Sequence, residues 1–174
     1  LNTASISDVL LNSNEDLIVT TESGDVFFVS NEGEIIWNVN VGALITAAPV
    51  INSSGTIFVG TTTGVLYAFD NSGALQWTEP LAFDDWIEYP LTCDDSGNCF
   101  VLSNNGVITK FSDDQSILYT IDEDISFDSK MSYDSVLNQL YIASGSTLYA
   151  FQDNEILWSV ECNGAVAEGV SIAY

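Results

Sequence analysis

The feature that most constrains this chain is a motif that returns about every 40 residues. Its clearest copy runs from Gly55 to Trp77, with Gly64, Leu66, Tyr67, Ala68, Phe69, Asp70, Gly73 and Trp77 as landmarks. The copy 40 residues earlier runs from Asp16 to Trp37 and keeps Gly24 and Gly33. The copy 42 residues later runs from Gly97 through Gly106 and Phe111 to Tyr119, with Tyr where the others have Trp. A fourth runs from Leu140 through Gly145 to Trp158. A unit this short cannot bury its apolar side alone, so consecutive units must stack.

Each unit reads as a series of short strands. Ile57, Phe58 and Val59 form a β-branched and aromatic run, Thr63 and Gly64 turn it, and Leu66 and Ala68 then alternate with Tyr67 and Phe69. A polar turn at Asp70, Asn71, Ser72 and Gly73 precedes an outer strand from Ala74 to Trp77. Upstream, Pro49, Val50 and Ile51 supply a first strand, matched by Val9 to Leu11, Pro90 to Thr92 and Lys130 to Ser132. Four short antiparallel strands per unit predict an all-β fold, a β-propeller with blades at about 7–40, 47–80, 88–121 and 129–161. A β-sandwich is the alternative, but its strands would not repeat one motif at a fixed interval. Helical periodicity is nowhere long enough to compete.

The residues 168–174 fall in register with Pro49 to Ile51 and read as the first strand of a further blade. Four complete blades plus one strand leave three arrangements: a portion of a longer propeller, two copies sharing an eight-bladed ring, or a terminal strand that adds to another subunit's sheet. Open sheet edges are templates for pairing, which favours self-assembly or a protein partner at the incomplete final blade. A closed four-bladed ring would leave the extra strand unexplained.

These landmarks resemble the repeat of the pyrroloquinoline-quinone (PQQ) type propellers. The match is close at Gly64, Leu66, Tyr67, Ala68, Phe69, Asp70, Gly73 and Trp77, nearly as close from Gly145 to Trp158, and extends over about 7–174. The resemblance implies that Trp37, Trp77 and Trp158, with Tyr119 as a weaker substitute, dock against the adjoining blade. It is specific for the repeat and not for an activity. The family includes quinone-dependent alcohol and sugar dehydrogenases, which hold a carboxylate-rich cofactor with Arg or Lys and calcium, in many members against a Trp and a disulfide between adjacent cysteines. This chain has no Arg, no His and no adjacent cysteines, so bound quinone is not expected. The family's outer-membrane assembly lipoproteins set the precedent for a scaffold instead.

Charge narrows the partners further. The chain carries 25 acidic residues against two basic ones, Lys110 and Lys130, for a net charge of −23. Nucleic-acid binding depends on cations that neutralise phosphates, so nucleic acid and anionic membrane are excluded as direct partners. No apolar run is long enough to insert in a bilayer, and the sequence starts at Leu1 without a basic, apolar leader, so any signal segment is expected to have been removed or never included. The self-repulsion calls for salt, divalent cations or low pH. Charged residues are nevertheless only 16% of the chain, which fits a secreted or cell-surface protein, extracellular or periplasmic, better than a salt-adapted intracellular one.

Cys93 and Cys99 bracket a turn-forming stretch, where a cross-strand disulfide or two free thiols are the alternatives; Cys162 is left over. Asn52, Ser53 and Ser54 spell an N-glycosylation acceptor. With no His, triad chemistry and imidazole-ligated metals are excluded, and the expectation is a protein that is not an enzyme. Carboxylate pairs among Asp84, Asp85 and Glu88 leave glycoside chemistry as a formal alternative, and with it a fragment of a larger quinone-dependent or carbohydrate-active propeller.

Propeller function resides mostly on loops between blades. The second such loop carries Phe83, Asp84, Asp85, Trp86 and Glu88, and the third carries Asp122, Glu123, Asp124 and Asp128. Aromatic side chains among carboxylates suit a protein partner, or calcium at Asp84, Asp85 and Glu88. The function expected is an interaction or assembly module.

Overall fold

A computed structural model describes residues 5–166 and 169. Those residues form four four-stranded antiparallel sheets and no helix. Blade 1 is β1 (Ile6–Leu11), β2 (Leu17–Thr21), β3 (Asp25–Val29) and β4 (Ile35–Asn40), in that order across the sheet. Blade 2 is β5 (Val50–Ile51), β6 (Ile57–Gly60), β7 (Val65–Phe69) and β8 (Leu81–Ala82). Blade 3 is β9 (Thr92–Cys93), β10 (Cys99–Leu102), β11 (Ile108–Phe111) and β12 (Ile117–Ile121). Blade 4 is β13 (Ser132–Asp134), β14 (Gln139–Ser144), β15 (Thr147–Gln152) and β16 (Glu155–Glu161).

The middle strands of blades 2 and 3 are the most deeply buried, because a sheet lies on either side of each. Three apolar cores lie between successive blades. Ile18, Val26 and Phe28 of blade 1 meet Ile57, Val59 and Phe69 of blade 2. Phe58, Leu66 and Ala68 of blade 2 meet Cys99, Val101 and Phe111 of blade 3. Phe100, Leu102 and Ile108 of blade 3 meet Leu140, Ile142 and Phe151 of blade 4. In blades 2 and 3 the period-2 alternation thus sends one face toward the preceding blade and the other toward the following one.

The outer strand of blade 2 departs from the expected span, Ala74 to Trp77. Leu75 makes only an isolated bridge to Phe69, Gln76 donates its N–H to the Ala68 carbonyl at 2.9 Å, and the ladder resumes at β8. In blade 1, Val26 pairs with Val39, whereas its counterpart Leu66 pairs with Leu81, two residues beyond the position the repeat dictates. The segment from Thr78 to Pro80 bulges out, and Pro80 has no N–H to give the ladder.

The strand expected at 168–174 lies outside the described residues apart from Gly169, which packs against the backbone of Lys130.

Candidate functional site

The loops that leave one blade and enter the next are fixed by backbone hydrogen bonds to the turns on either side. In the second loop the Phe83 N–H donates to the Gly64 carbonyl at 2.8 Å, and the Ile87 N–H to the Thr61 carbonyl at 3.0 Å. From blade 3, the Asn104 N–H donates to the Trp86 carbonyl at 2.8 Å. Gly64 is required here: its φ is +75°, and a Cβ would lie 2.6 Å from the Phe83 carbonyl oxygen. Trp86 therefore sits on backbone held from two blades, yet 54% of it is exposed.

The structure separates the residues that the sequence grouped on this loop. Phe83 turns partly inward onto the core between blades 2 and 3. Asp84 and Glu88 are exposed, and Asp85 accepts the Trp86 N–H at 2.8 Å, holding the turn. Among the described residues no group of three or more acidic or cysteine side chains converges as a metal site would require, so Asp84, Asp85 and Glu88 do not form the expected calcium cluster. A cleft of about 270 Å³ opens beside Phe83 and Asp84, with Ser103 and Asn105 on its far side.

The third loop is held in a similar way. Asp128 accepts the Gly145 N–H at 3.0 Å, Ser129 Oγ accepts the Ala143 N–H at 2.8 Å, and Ser144 Oγ donates to the Ser126 carbonyl at 2.7 Å. Asp122, Glu123 and Asp124 are exposed. Phe127 is buried edge-on against Tyr149 and Phe151.

Leu44 is a residue that loop composition did not single out. The Thr62 N–H donates to its carbonyl at 3.0 Å, as Asn104 does to Trp86, and 55% of Leu44 is exposed. Leu44 and Trp86 are thus apolar side chains at one structural position of successive loops. The 42-residue spacing between them carried that signal.

The aromatic landmarks of the outer strands divide into docked and undocked. Trp37 donates its indole N–H to the Asn71 carbonyl at 2.9 Å, and Trp77 donates to the Asp113 carbonyl at 2.7 Å. Gly73 makes the first contact possible, since a Cβ there would stand 2.7 Å from the Trp37 ring. Tyr119 is half-buried against Phe100. Trp158 is 39% exposed and touches only Tyr141 among the described rings.

Lys110, one of the two basic residues, is only 8% exposed. Its ammonium lies 2.9 Å from Asp94 Oδ2 and 4.8, 5.3 and 5.7 Å from the rings of Phe100, Tyr133 and Tyr119. Burial pushes the Asp94 carboxyl upward, but hydrogen bonds from Lys110 and Asn98 and the Lys110 charge outweigh it, leaving Asp94 below the usual carboxylate range. Burial, with nearby carboxylates second, pushes the Tyr119 and Tyr133 phenols upward.

Asn52 does not suit glycosylation. It is 5% exposed, and its Nδ2, the atom a glycan would occupy, donates to the Gly97 carbonyl at 2.9 Å and to Asp113 Oδ1 at 2.8 Å. Its Oδ1 accepts the Ser54 and Thr56 N–H groups, so the side chain builds its own turn and ties it to blade 3. Cys93 and Cys99, directly opposite on β9 and β10, are joined by a disulfide. Cys162 is a free thiol of intermediate exposure.

Residues 22–154 match a family described as outer membrane protein assembly factor BamB. Among solved structures, BamB from Moraxella catarrhalis is 18% identical over 88% of this chain and 48% of its own, with a TM-score of 0.74. BBS1N in complex with ARL6DN is 16% identical over 97% of this chain and 58% of its own, with a TM-score of 0.76. The C-terminal WD40 domain of Sif2 is 12% identical over 95% and 49%, with a TM-score of 0.78. At such identities the likeness is one of fold, and the chain spans about half the length of these structures. No curated protein matches the sequence.

Proposed function

The chain belongs to the PQQ-type repeat family described as outer membrane protein assembly factor BamB, and from that membership we propose a non-catalytic interaction or assembly module working outside the cytoplasm, in the periplasm or at the cell surface. Its contact surface is the loop face that carries Leu44, Trp86 and the acidic residues of the second and third loops. The family match carries this reading. Two structural features support it. Trp86 is an exposed aromatic on backbone that two blades hold still, and such pre-ordered anchors contribute most to protein interfaces. The Cys93–Cys99 disulfide suits an oxidising compartment.

A net charge of −23 makes a positively charged protein segment the partner of best complementarity. The test places a photo-crosslinking residue at 86 or, as a control on the outer rim, at Ile36, in cells of the source organism. Crosslinks to one protein from position 86 alone, weakened by raised salt, support the reading. Equal labelling from both positions, or labelling at neither, would sink it.

A further inference from the structure

Blade 3 departs from the repeat at one register position of its third strand. Opposite Val19, Val59 and Val101 stand Phe27, Tyr67 and Thr109, so blade 3 has a small hydroxyl side chain where blades 1 and 2 carry a ring. The groove beside the outer strands of blades 1 and 2 is lined by Val39, Val41, Leu75 and Tyr67, and Tyr67 stacks on Phe69 and donates its hydroxyl to the Val41 carbonyl at 3.2 Å. The corresponding cleft between blades 2 and 3, about 270 Å³, passes Thr109 and reaches Ser103, with Leu81, Phe83 and Ile117 as its apolar walls.

Two hydroxyls at this cleft have nothing to bond. Ser103 and Thr109 are 3% and 5% exposed, and neither hydroxyl has a hydrogen-bond partner among the described residues. The repeat counterparts of Ser103 are tied into their own turns: Thr21 Oγ1 accepts the Asp25 N–H at 3.1 Å, and Thr61 Oγ1 accepts the Val65 N–H at 3.2 Å. In blade 3 the equivalent N–H, that of Val107, donates to Asn105 Oδ1 at 3.2 Å instead and leaves Ser103 free. No side-chain oxygen among the described residues is both sealed from solvent and unpartnered, so these two hydroxyls open onto the cleft that their residues line. Nearly buried hydroxyls in a roomy cleft favour an occupant that can hydrogen-bond.

We propose that the cleft takes a tyrosine side chain from the partner segment that docks on the loop face. The ring lies among Leu81, Phe83 and Ile117, and the phenol hydroxyl meets those of Ser103 and Thr109. Apolar walls around a few convergent polar groups suit a ring with one polar end. Asp84 is exposed at the rim, and with the net charge of −23 it favours Lys or Arg beside that tyrosine. Cleft and anchor belong to one loop: Phe83 and Asp84 precede Trp86, and Ile87 after it bridges to Ser103. The proposal rests on the loop-face reading and adds the side chain that the partner presents there.

Amide chemical shifts of the nitrogen-15-labelled chain test it, in titrations with p-cresol, which is the tyrosine side chain alone, with toluene, and with the peptides acetyl-Lys-Tyr-Lys-amide and acetyl-Lys-Ala-Lys-amide. p-Cresol should bind saturably, shift the amides from Leu81 to Asp84 and from Ser103 to Thr109, and bind about 5-fold more tightly than toluene, which lacks the hydroxyl. The tyrosine peptide should shift the same amides, and the alanine peptide should not. Thr109→Tyr, which restores the ring of blade 2, should abolish binding. Thr109→Val with Ser103→Ala, which keeps the cleft and removes both hydroxyls, should bring p-cresol down to the affinity of toluene. Absence of saturable shifts at the cleft overturns the proposal. So does equal affinity of the wild-type chain for p-cresol and toluene, undiminished binding by a folded Thr109→Tyr, or a cleft that takes p-cresol and not the tyrosine peptide. None of these outcomes touches the loop-face reading, which stands or falls with the crosslinks at position 86.

Discussion

Truncating the same repeat residue in two blades should give very different costs. Trp77 is 6% exposed, packs on Phe58 and Phe111 at centroid separations of 5.4 and 6.1 Å, and donates its indole N–H across the interface between blades 2 and 3. Trp77→Ala removes a large buried ring, worth about 3–5 kcal/mol with the cavity included, and orphans the Asp113 carbonyl for about 1 kcal/mol more. For a chain of this size each kcal/mol moves the melting point by about 2–4 °C, so a loss of roughly 12 °C is expected. Trp158 is 39% exposed, with Tyr141 its one described ring contact. Trp158→Ala should cost the isolated chain no more than about 1 kcal/mol. Urea unfolding followed by far-ultraviolet circular dichroism at about 1 µM protein measures both. Equal costs would refute the claim that packing against a following blade, and not the motif, sets the contribution of these residues.

Other substitutions probe the polar ties between blades. Lys110→Met should destabilise by about 3–5 kcal/mol by leaving the Asp94 charge buried without its ion partner, and Asp94→Asn in the same chain, which removes the charge but keeps an oxygen to accept the Ser96 and Asn98 N–H groups, should recover part of that loss; urea midpoints read both. Because the folded Asp94 lies below its ordinary 3.8, its contribution is present above that value and is lost as pH falls through the lowered one. Tyr119 and Tyr133 act at the other limit: their phenols are raised above 10.0, so the unfolded chain releases those protons first and stability should fall as pH climbs past 10 in thermal melts. Asn52→Asp sets a carboxylate against Asp113 and should cost about 1–3 kcal/mol at pH 7, with partial recovery near pH 4 in the same melts. Reducing Cys93–Cys99, which closes a short loop, should lower unfolding free energy by about 2 kcal/mol; an unchanged urea midpoint in dithiothreitol would count against the bond.

Much of the architecture was legible because it repeats. Four copies of one strand pattern, spaced by turn residues that accept positive φ, admit few folds, and the four sheets with three cores between them follow from that pattern. The outer strand of blade 2 was misplaced because its local composition matches the other copies, while the displacement arises only when residues 78–80 must be accommodated against β7. The loop composition marked Trp86 and its carboxylates, but composition does not give direction: Asp85 turns back to cap its own segment and Phe83 packs inward. Leu44 went unmarked because a lone leucine carries no chemical signature until the backbone places it at the position that Trp86 holds in the next loop.

The sequence by itself determined the repeat, the antiparallel blade, the absence of imidazole and guanidinium chemistry, and the negative charge, since each is a property of residue type and spacing. Tertiary structure decided which repeats of one residue are equivalent. Trp37, Trp77 and Trp158 read alike in the chain, and nothing in the sequence distinguishes Lys110 from Lys130. A side chain's environment depends on the blade that covers it, so Trp77 is core, Trp158 is surface, and Lys110 is a buried cation held by one carboxylate and three rings.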